Sequence, residues 1–177
     1  MKLLPASLLL AFCLACGPPD PPKTQEPLVL KGEKLEEALV QVNKRFLKEE
    51  DLLIDRFIER RGWEPQETGT GLRIVMLKEG HGKPPKSGQM VRIDYEVRLL
   101  DGTLCYASKE NQGFELFRVD YDEVESGIHE GIKYIPEGGR AYLFMPSHRA
   151  FGLVGDRNKI PPYNPVWYDI TLIEILP

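Results

Sequence analysis

The feature that most constrains this chain begins at Thr70, where apolar residues start to alternate with polar ones. Alternation with a period of two is typical of strands that bury one face of a sheet. Four segments show it: 72–77, 90–99, 140–145 and 166–176. The Asp101-Gly102 pair follows the second segment and predicts a tight hairpin turn. The C-terminal part of the chain is therefore expected to form an antiparallel sheet.

Helical spacing of apolar residues occurs in two segments. In 122–135, Val124, Ile128 and Ile132 recur every four residues, which predicts one helix within the strand-rich part. In 33–61, apolar residues recur three, four or seven positions apart and charged residues fill the other face, which predicts an N-terminal helical segment. The predicted fold class is α+β, with one short helix covering one face of a curved antiparallel sheet.

The N-terminal helical segment leaves two questions open. The acidic run 49–51, which we expect to be a solvated face, weakens the apolar stripe. The segment is therefore either one helix or two, over 41–48 and 51–60. Its apolar face serves either as a dimerisation or partner surface or as packing against its own domain.

The chain begins with a segment typical of protein export. Met1-Lys2 supplies a positive start, and 3–15 is an uncharged run of thirteen residues. A membrane-spanning helix needs about 20 apolar residues, so the run has the length of a signal core instead. A small residue precedes Cys16, and this pattern is similar to bacterial lipoprotein signals, in which the cysteine becomes the acylated first residue. The alternative is a plain signal peptide that is cut nearby.

The segment 16–32 is rich in proline, a composition that favours an extended tether. The chain contains three cysteines. Once the signal is removed and Cys16 is lipidated, Cys105 is the one that remains free. We therefore expect no internal disulfide, although the protein is exported.

Charge and motif content exclude several classes of function. The net charge is −4 without a basic cluster, so we expect no nucleic-acid partner. His81, His129 and His148 lack the spacing of metal ligands, so we expect no metal site. The sequence has no glycine-rich phosphate loop and no nucleophile–base pair of known spacing, and we expect no cofactor.

An ordered set of short motifs resembles the FKBP-type peptidyl-prolyl isomerases over about residues 68–177. The motifs are Gly80-His81-Gly82, Val91-Arg92-Ile93-Asp94-Tyr95, Leu100-Asp101-Gly102-Thr103, Ser126-Gly127-Ile128-His129-Glu130-Gly131-Ile132, Pro146-Ser147-His148-Arg149-Ala150-Phe151-Gly152, Ile160-Pro161-Pro162 and Tyr168-Asp169-Ile170-Thr171-Leu172. The resemblance implies a curved antiparallel sheet wrapped around one short helix. The predicted organisation is a signal peptide at 1–15, a lipidated tether at 16–32, a helical segment at 33–63 and an FKBP-like domain at 68–177.

The lipoprotein signal and the helix before the domain resemble the FKBP-type lipoproteins linked to gliding motility in bacteria. This narrower resemblance implies a lipid anchor in the cell envelope, at the outer membrane and facing the periplasm. It also implies proline-containing client polypeptides, whose folding the protein would assist. A dimer formed through the N-terminal helix is a further expectation.

The reaction of this family is rotation about the peptide bond before proline. Amide resonance sets a barrier of about 18–20 kcal/mol, and uncatalysed exchange takes tens of seconds or longer. An apolar pocket lowers the barrier because the twisted amide has less charge separation than the planar one. No nucleophile, metal or proton transfer is needed.

By the resemblance, three positions carry catalysis: Tyr95, Tyr106 and Phe151. Six more are implied to line the substrate pocket: Cys105, Phe114, Val124, Ile128, Ile160 and Tyr168.

Several of these positions depart from the family pattern. Cys105 and Tyr106 stand where the family has Phe-Asp, and Ile128 stands where it has tryptophan. Phe151 replaces a tyrosine, and Glu125 replaces a second apolar residue. The changes keep the pocket apolar but remove a carboxylate and a hydrogen-bond donor, which implies reduced isomerase activity. Two alternatives remain open: a non-catalytic chaperone or scaffold that binds proline-containing segments, and a protein whose helix is the functional part and whose domain is a spacer.

Overall fold

The computed structural model describes residues 31–176. The predicted signal segment, Cys16 and the tether up to residue 30 lie outside the described residues. Residues 31–176 contain two α-helices, α1 (Glu33–Glu59) and α2 (Ser126–Gly131). The same residues contain seven strands: β1 (Gln66–Glu67), β2 (Arg73–Lys78), β3 (Met90–Leu99), β4 (Leu104–Ala107), β5 (Glu115–Arg118), β6 (Arg140–Met145) and β7 (Val166–Leu176).

The strands form one antiparallel sheet in the order β1-β2-β6-β7-β3-β4. Strand β3 is central, because β7 pairs with its whole length on one side while β4 and β5 share the other side. The pairing register shifts between Arg92 and Ile93 and again between Val97 and Arg98, and such bulges bend a strand. The predicted α+β fold, with a sheet around a short helix, is confirmed.

The helix on the concave face is shorter than its apolar pattern predicts. Residues 122–125 form a turn before α2, and Val124 lies in this turn instead of on the helix. The Asp122 carboxylate accepts a hydrogen bond of 2.7 Å from the Arg118 backbone N–H, which closes the turn. The predicted start at residue 122 is therefore wrong. After α2, residues Ile132–Tyr134 continue as one turn of 3₁₀-helix.

Two glycines let α2 lie directly on the sheet. A Cβ atom at Gly131 would lie 2.5 Å from Cδ1 of Leu143 on β6, which is closer than real contacts allow. At Gly127, a Cβ atom would collide with the Met145 side chain. Because these positions carry no side chain, the helix approaches β6 closely and buries Ile128 against the sheet.

The long helix α1 covers the opposite face of the sheet. It is one unbroken helix, and near its C-terminal end Ile54, Phe57 and Ile58 pack in a second core with Val75 and Phe144. The residues directly before and after Val75 and Phe144 in their strands point to the other face, into the core below α2, because side chains alternate along a strand. Packing against its own domain is thus the observed role of this end of α1.

The acidic run in the middle of α1 is only partly solvated. Glu50 is buried, and its carboxylate accepts hydrogen bonds from the Ser147 backbone N–H at 2.5 Å and from the Ser147 hydroxyl at 2.7 Å. Asp51 and Asp55 contact the guanidinium of buried Arg73 at 2.6 and 2.9 Å. The expectation of a solvated face is wrong at Glu50, because this part of the helix rests on the turn after β6.

The N-terminal half of α1 extends beyond the sheet. Several apolar side chains there are exposed: Leu35, Leu39, Val40 and Val42. Phe46 stacks on Tyr163 of the loop before β7, with 4.5 Å between ring centroids. Within residues 31–176, no helix is long and apolar enough to cross a bilayer.

The close approach of α2 predicts that Gly131→Ala destabilises the protein. Overpacking costs about 1–3 kcal/mol, and the better helix propensity of alanine offsets about 1 kcal/mol of it. We expect a net loss of about 1 kcal/mol in the free energy of unfolding, measured by urea denaturation. Gly69→Ala is the control, because a Cβ atom there meets nothing within 4 Å. A Gly131→Ala protein as stable as the Gly69→Ala protein would contradict the close packing.

Candidate active site

A cavity of about 170 Å³ opens on the concave face of the sheet, beside α2. Its lining residues come from four strands, from α2 and from two turns. They are Ile93, Tyr95, Val97, Tyr106, Glu115, Phe117, Glu123, Val124, Glu125, Ile128, Phe151 and Tyr168.

The central strand supplies one wall of the cavity. Ile93, Tyr95 and Val97 alternate along β3, so their side chains point to the same face. In the register of β3 and β7, Tyr168 pairs with Val97, which places it next to Tyr95. The two tyrosine rings are 5.8 Å apart between centroids and tilted by 41°.

The floor and one rim of the cavity come from α2 and from the turn after β6. Ile128 of α2 is 2% exposed, and the glycine contacts with β6 hold it in place. Phe151 follows the 3₁₀ turn Ser147–Arg149 and is half-buried at the edge of the cavity. Of the residues predicted for the site, the cavity brings together Tyr95, Tyr106, Val124, Ile128, Phe151 and Tyr168.

Tyr106 belongs to a hydrogen-bonded group at the cavity edge. Its hydroxyl donates to the Asp156 carboxylate, and the Asn158 side-chain amide donates to the same hydroxyl at 3.2 Å. Burial opposes charge on Asp156, but the hydrogen bond from Tyr106 and those from backbone N–H groups outweigh it and lower the pKa of Asp156 to about 2. The sequence has Tyr106 where the family has a carboxylate. The Asp156 carboxylate beside the Tyr106 hydroxyl therefore supplies a negative charge near this position.

Three glutamates are the unexpected part of the lining. Glu115 comes from β5, and Glu123 and Glu125 come from the turn before α2. Burial raises the pKa of Glu125. Burial and then the negative charge of Glu125 raise the pKa of Tyr168, so this phenol stays protonated at neutral pH.

The pKa of Tyr95 is raised by the same two kinds of effect. Burial raises its pKa first, and interaction with Glu115 raises it further. Both phenols therefore keep their protons at physiological pH, and each hydroxyl interacts with a glutamate of the lining, Tyr95 with Glu115 and Tyr168 with Glu125.

Three residues predicted for the pocket do not line the cavity. Cys105 is fully buried, and its thiol lies 3.8 Å from the backbone oxygen of Lys159. Ile160 is in the core at 2% exposure. Phe114 lies outside, with its ring centroid 4.8 Å from the Arg92 guanidinium carbon. Alternation along β5 explains the position of Phe114. Glu115 and the residue two positions later point into the cavity, so Phe114, which precedes Glu115, points away from it.

Sequence reasoning missed several lining residues. Ile93 and Val97 could have been found, because they flank Tyr95 at the spacing of a strand. Phe117 and Glu115 could not, because β5 is only four residues long and its alternation is too brief to stand out. Among the described residues, no group of three His, Cys, Asp or Glu could hold a metal ion.

Comparison with known proteins agrees with this geometry. Residues 81–173 match the model of the FKBP-type peptidyl-prolyl cis-trans isomerase family. The chain is 36% identical over 108 residues to the probable FKBP-type isomerase FkpA of Neisseria meningitidis, a match that covers 61% of this chain and 39% of that protein. It is 30% identical over 126 residues to FkpA of Escherichia coli K12, covering 70% and 44%.

Solved structures show the same fold. A peptidyl-prolyl cis-trans isomerase from Pseudomonas syringae superposes with a TM-score of 0.64 at 27% identity, covering 76% of this chain and 96% of that one. FkpA from Escherichia coli superposes with a TM-score of 0.61 at 27% identity, covering 84% and 74%. The matched segment spans between 39% and 61% of the length of four curated relatives. Family match, sequence identity and shared fold coincide on one segment, and the chain belongs to the FKBP-type peptidyl-prolyl cis-trans isomerase family.

Proposed function

We propose that this protein catalyses cis–trans isomerisation of peptide bonds before proline, and that the reaction takes place in the cavity beside α2. The observation that carries the proposal is a small hollow with an aliphatic floor, Ile128, and the aromatic walls Tyr95, Phe151 and Tyr168, in a chain of this family. Relatives named as peptidyl-prolyl isomerases support it.

The size of the cavity matches a single proline ring. Its volume of about 170 Å³ is well below the roughly 300–1,000 Å³ of sites that enclose drug-sized ligands. The ring would rest on Ile128, while the flanking residues of the peptide stay at the mouth. Holding one ring in place while the preceding carbonyl group turns is the geometry that this reaction needs.

Catalysis follows from solvation and from hydrogen bonding. A planar amide has more charge separation than a twisted one, so an apolar floor destabilises the planar state relative to the twisted state. The Tyr106 hydroxyl donates to Asp156 and the Tyr95 hydroxyl interacts with Glu115, so either phenol can donate to a peptide carbonyl group only in exchange for its present contact. Phe151 contributes only its ring, and we therefore propose an activity that is reduced by the absence of one donor.

The first test is catalysis of exchange in a short Xaa-Pro peptide, measured by NMR exchange spectroscopy on the full chain. We expect acceleration, and we expect Phe151→Tyr to raise kcat/KM between about twofold and tenfold, because one hydrogen bond contributes roughly 0.5–1.5 kcal/mol. Phe114→Tyr is the matched control, since that ring lies outside the cavity, and it should leave the rate unchanged.

The same experiment decides the second candidate function. The lack of a hydroxyl at Phe151 favours a chaperone or scaffold that binds proline-containing segments without turning them over. Peptide binding in NMR titration without any acceleration of exchange would reject catalysis and support this function. No binding and no acceleration would reject both.

For location, we propose that Cys16 carries lipid and anchors the protein in the bacterial cell envelope, at the outer membrane and facing the periplasm. The support is the signal-like sequence and the proline-rich segment after it. Clients would then be envelope or secreted polypeptides. The finer placement among lipoproteins linked to gliding motility rests on the same N-terminal features.

Lipidation is tested by Cys16→Ser in a bacterial host. We expect the unaltered protein to incorporate labelled fatty acid and to sediment with membranes, and the variant to lose both properties. Cys105→Ser is the control, because this thiol is buried in the core. Equal labelling of the Cys16→Ser protein and the unaltered protein would contradict the anchor.

We also propose a dimer through the N-terminal half of α1. The support is its exposed apolar residues, including Leu39 at 53% and Val42 at 48% exposure. Analytical ultracentrifugation should show a dimer that Leu39→Glu converts to a monomer. Gln41→Glu, about 200° around the helix, should leave the dimer intact. A monomer in the unaltered protein would rule the arrangement out.

A further inference from the structure

We propose that the cavity selects proline segments that carry Lys or Arg directly beside the proline. This inference rests on the proposed function of the same cavity and adds its substrate class. It starts from the charges of the lining. Three of the twelve lining residues are glutamates, and among the described residues no Lys, Arg or His lines the cavity.

The three glutamates lie around one side of the cavity. Glu115 interacts with Tyr95 on the β3 wall, and Glu125 interacts with Tyr168 on the neighbouring strand. Glu123 is exposed at the mouth, two residues before Glu125. A substrate that places its proline on Ile128 therefore has carboxylates within reach of its flanking side chains.

The protein does not neutralise these carboxylates. Ion pairs within residues 31–176 use other acidic residues, and none involves Glu115, Glu123 or Glu125. Arg118 at the end of β5 donates to the Gly88 backbone oxygen at 3.3 Å, and Arg92, which pairs with β5, contacts Glu174. Lys159 lies 4.7 Å from the Tyr106 ring centroid and 3.7 Å from Glu110. Among the described residues, the three glutamates of the lining therefore take part in no ion pair.

The basic side chains near α2 are held by other contacts. His129 accepts a hydrogen bond of 2.9 Å from the Asp120 backbone N–H at Nδ1. Its other nitrogen lies 3.0 Å from the Asp122 backbone oxygen. Arg149 contacts Glu130 at 2.7 Å. These groups are committed to contacts outside the cavity.

A half-buried carboxylate that forms no ion pair attracts a cation more strongly than an exposed one does, because water screens it less. Glu115 is half-buried in this way, whereas burial raises the pKa of Glu125 and so weakens the negative charge of that carboxyl. A Lys or Arg of the substrate can lay its apolar stem along the aromatic wall and place its charge at the carboxylates. An acidic residue at the same place is repelled.

The test uses matched peptides that differ only in the residue before or after proline: Leu, Lys or Glu. Exchange rates with the full chain are measured by NMR. We expect kcat/KM to be about fivefold higher for a Lys peptide than for the Leu peptide, and lowest for the Glu peptide. The advantage of lysine should shrink when NaCl rises from about 0.05 M to about 0.5 M.

The double variant Glu115→Gln and Glu123→Gln should bring the ratio of Lys to Leu rates close to one. Glu64→Gln is the matched control, because this exposed glutamate does not line the cavity, and it should leave the ratio unchanged. Equal rates for the Leu and Lys peptides in the unaltered protein would overturn the inference. A lysine advantage that the double variant retains would also overturn it.

Failure of the proposed function is a separate outcome. If the chain accelerates none of the peptides, the isomerase proposal fails, and affinities for the same peptides decide the selectivity. Tighter binding of the Lys peptide in NMR titration, weakened by salt, would still support it. Equal affinities would overturn it.

Discussion

The contact between α2 and β6 determines the form of the cavity. A helix with ordinary side chains at both Gly127 and Gly131 could not lie so close to Leu143 and Met145. The close contact brings Ile128 down to the sheet as a floor and leaves a hollow that suits one ring. The bulges of β3 complete the arrangement, because they curve the sheet around the helix.

The two faces of the sheet are connected at the edge of this cavity. On the outer face, α1 is held by its apolar residues and by the buried carboxylate of Glu50. The partner of Glu50 is Ser147, which begins the 3₁₀ turn that leads to Phe151. This turn therefore contacts α1 on one side and positions the Phe151 ring at the cavity on the other.

Strong local patterns made much of the fold predictable. The bounds of β3, β6 and β7 agree with the alternating segments. In β3 and β7, ten and eleven residues of alternation leave little choice of register. Shorter elements were not predictable: β5 has four residues, and the turn at 122–125 shares its apolar spacing with the helix that follows. Glu50 was misjudged because an acidic residue is normally exposed, and only its tertiary partner explains its burial.

The candidate site was likewise predictable only in part. Ordered motifs placed the aromatic rings of Tyr95, Phe151 and Tyr168, but the charges around them depend on which strand residues face inward. Glu115 enters the cavity through the register of β5, and Asp156 reaches Tyr106 across fifty positions of sequence. Contacts of this kind arise from tertiary folding and leave no local signature.

The central claim is that a proline ring binds on the floor formed by Ile128. Intermolecular nuclear Overhauser effects between a proline peptide and the full, methyl-labelled chain test it most directly. We predict contacts from the proline ring protons to the Ile128 methyl groups and to the Tyr168 ring. Contacts confined to the exposed apolar residues of α1, with none at Ile128, would contradict it.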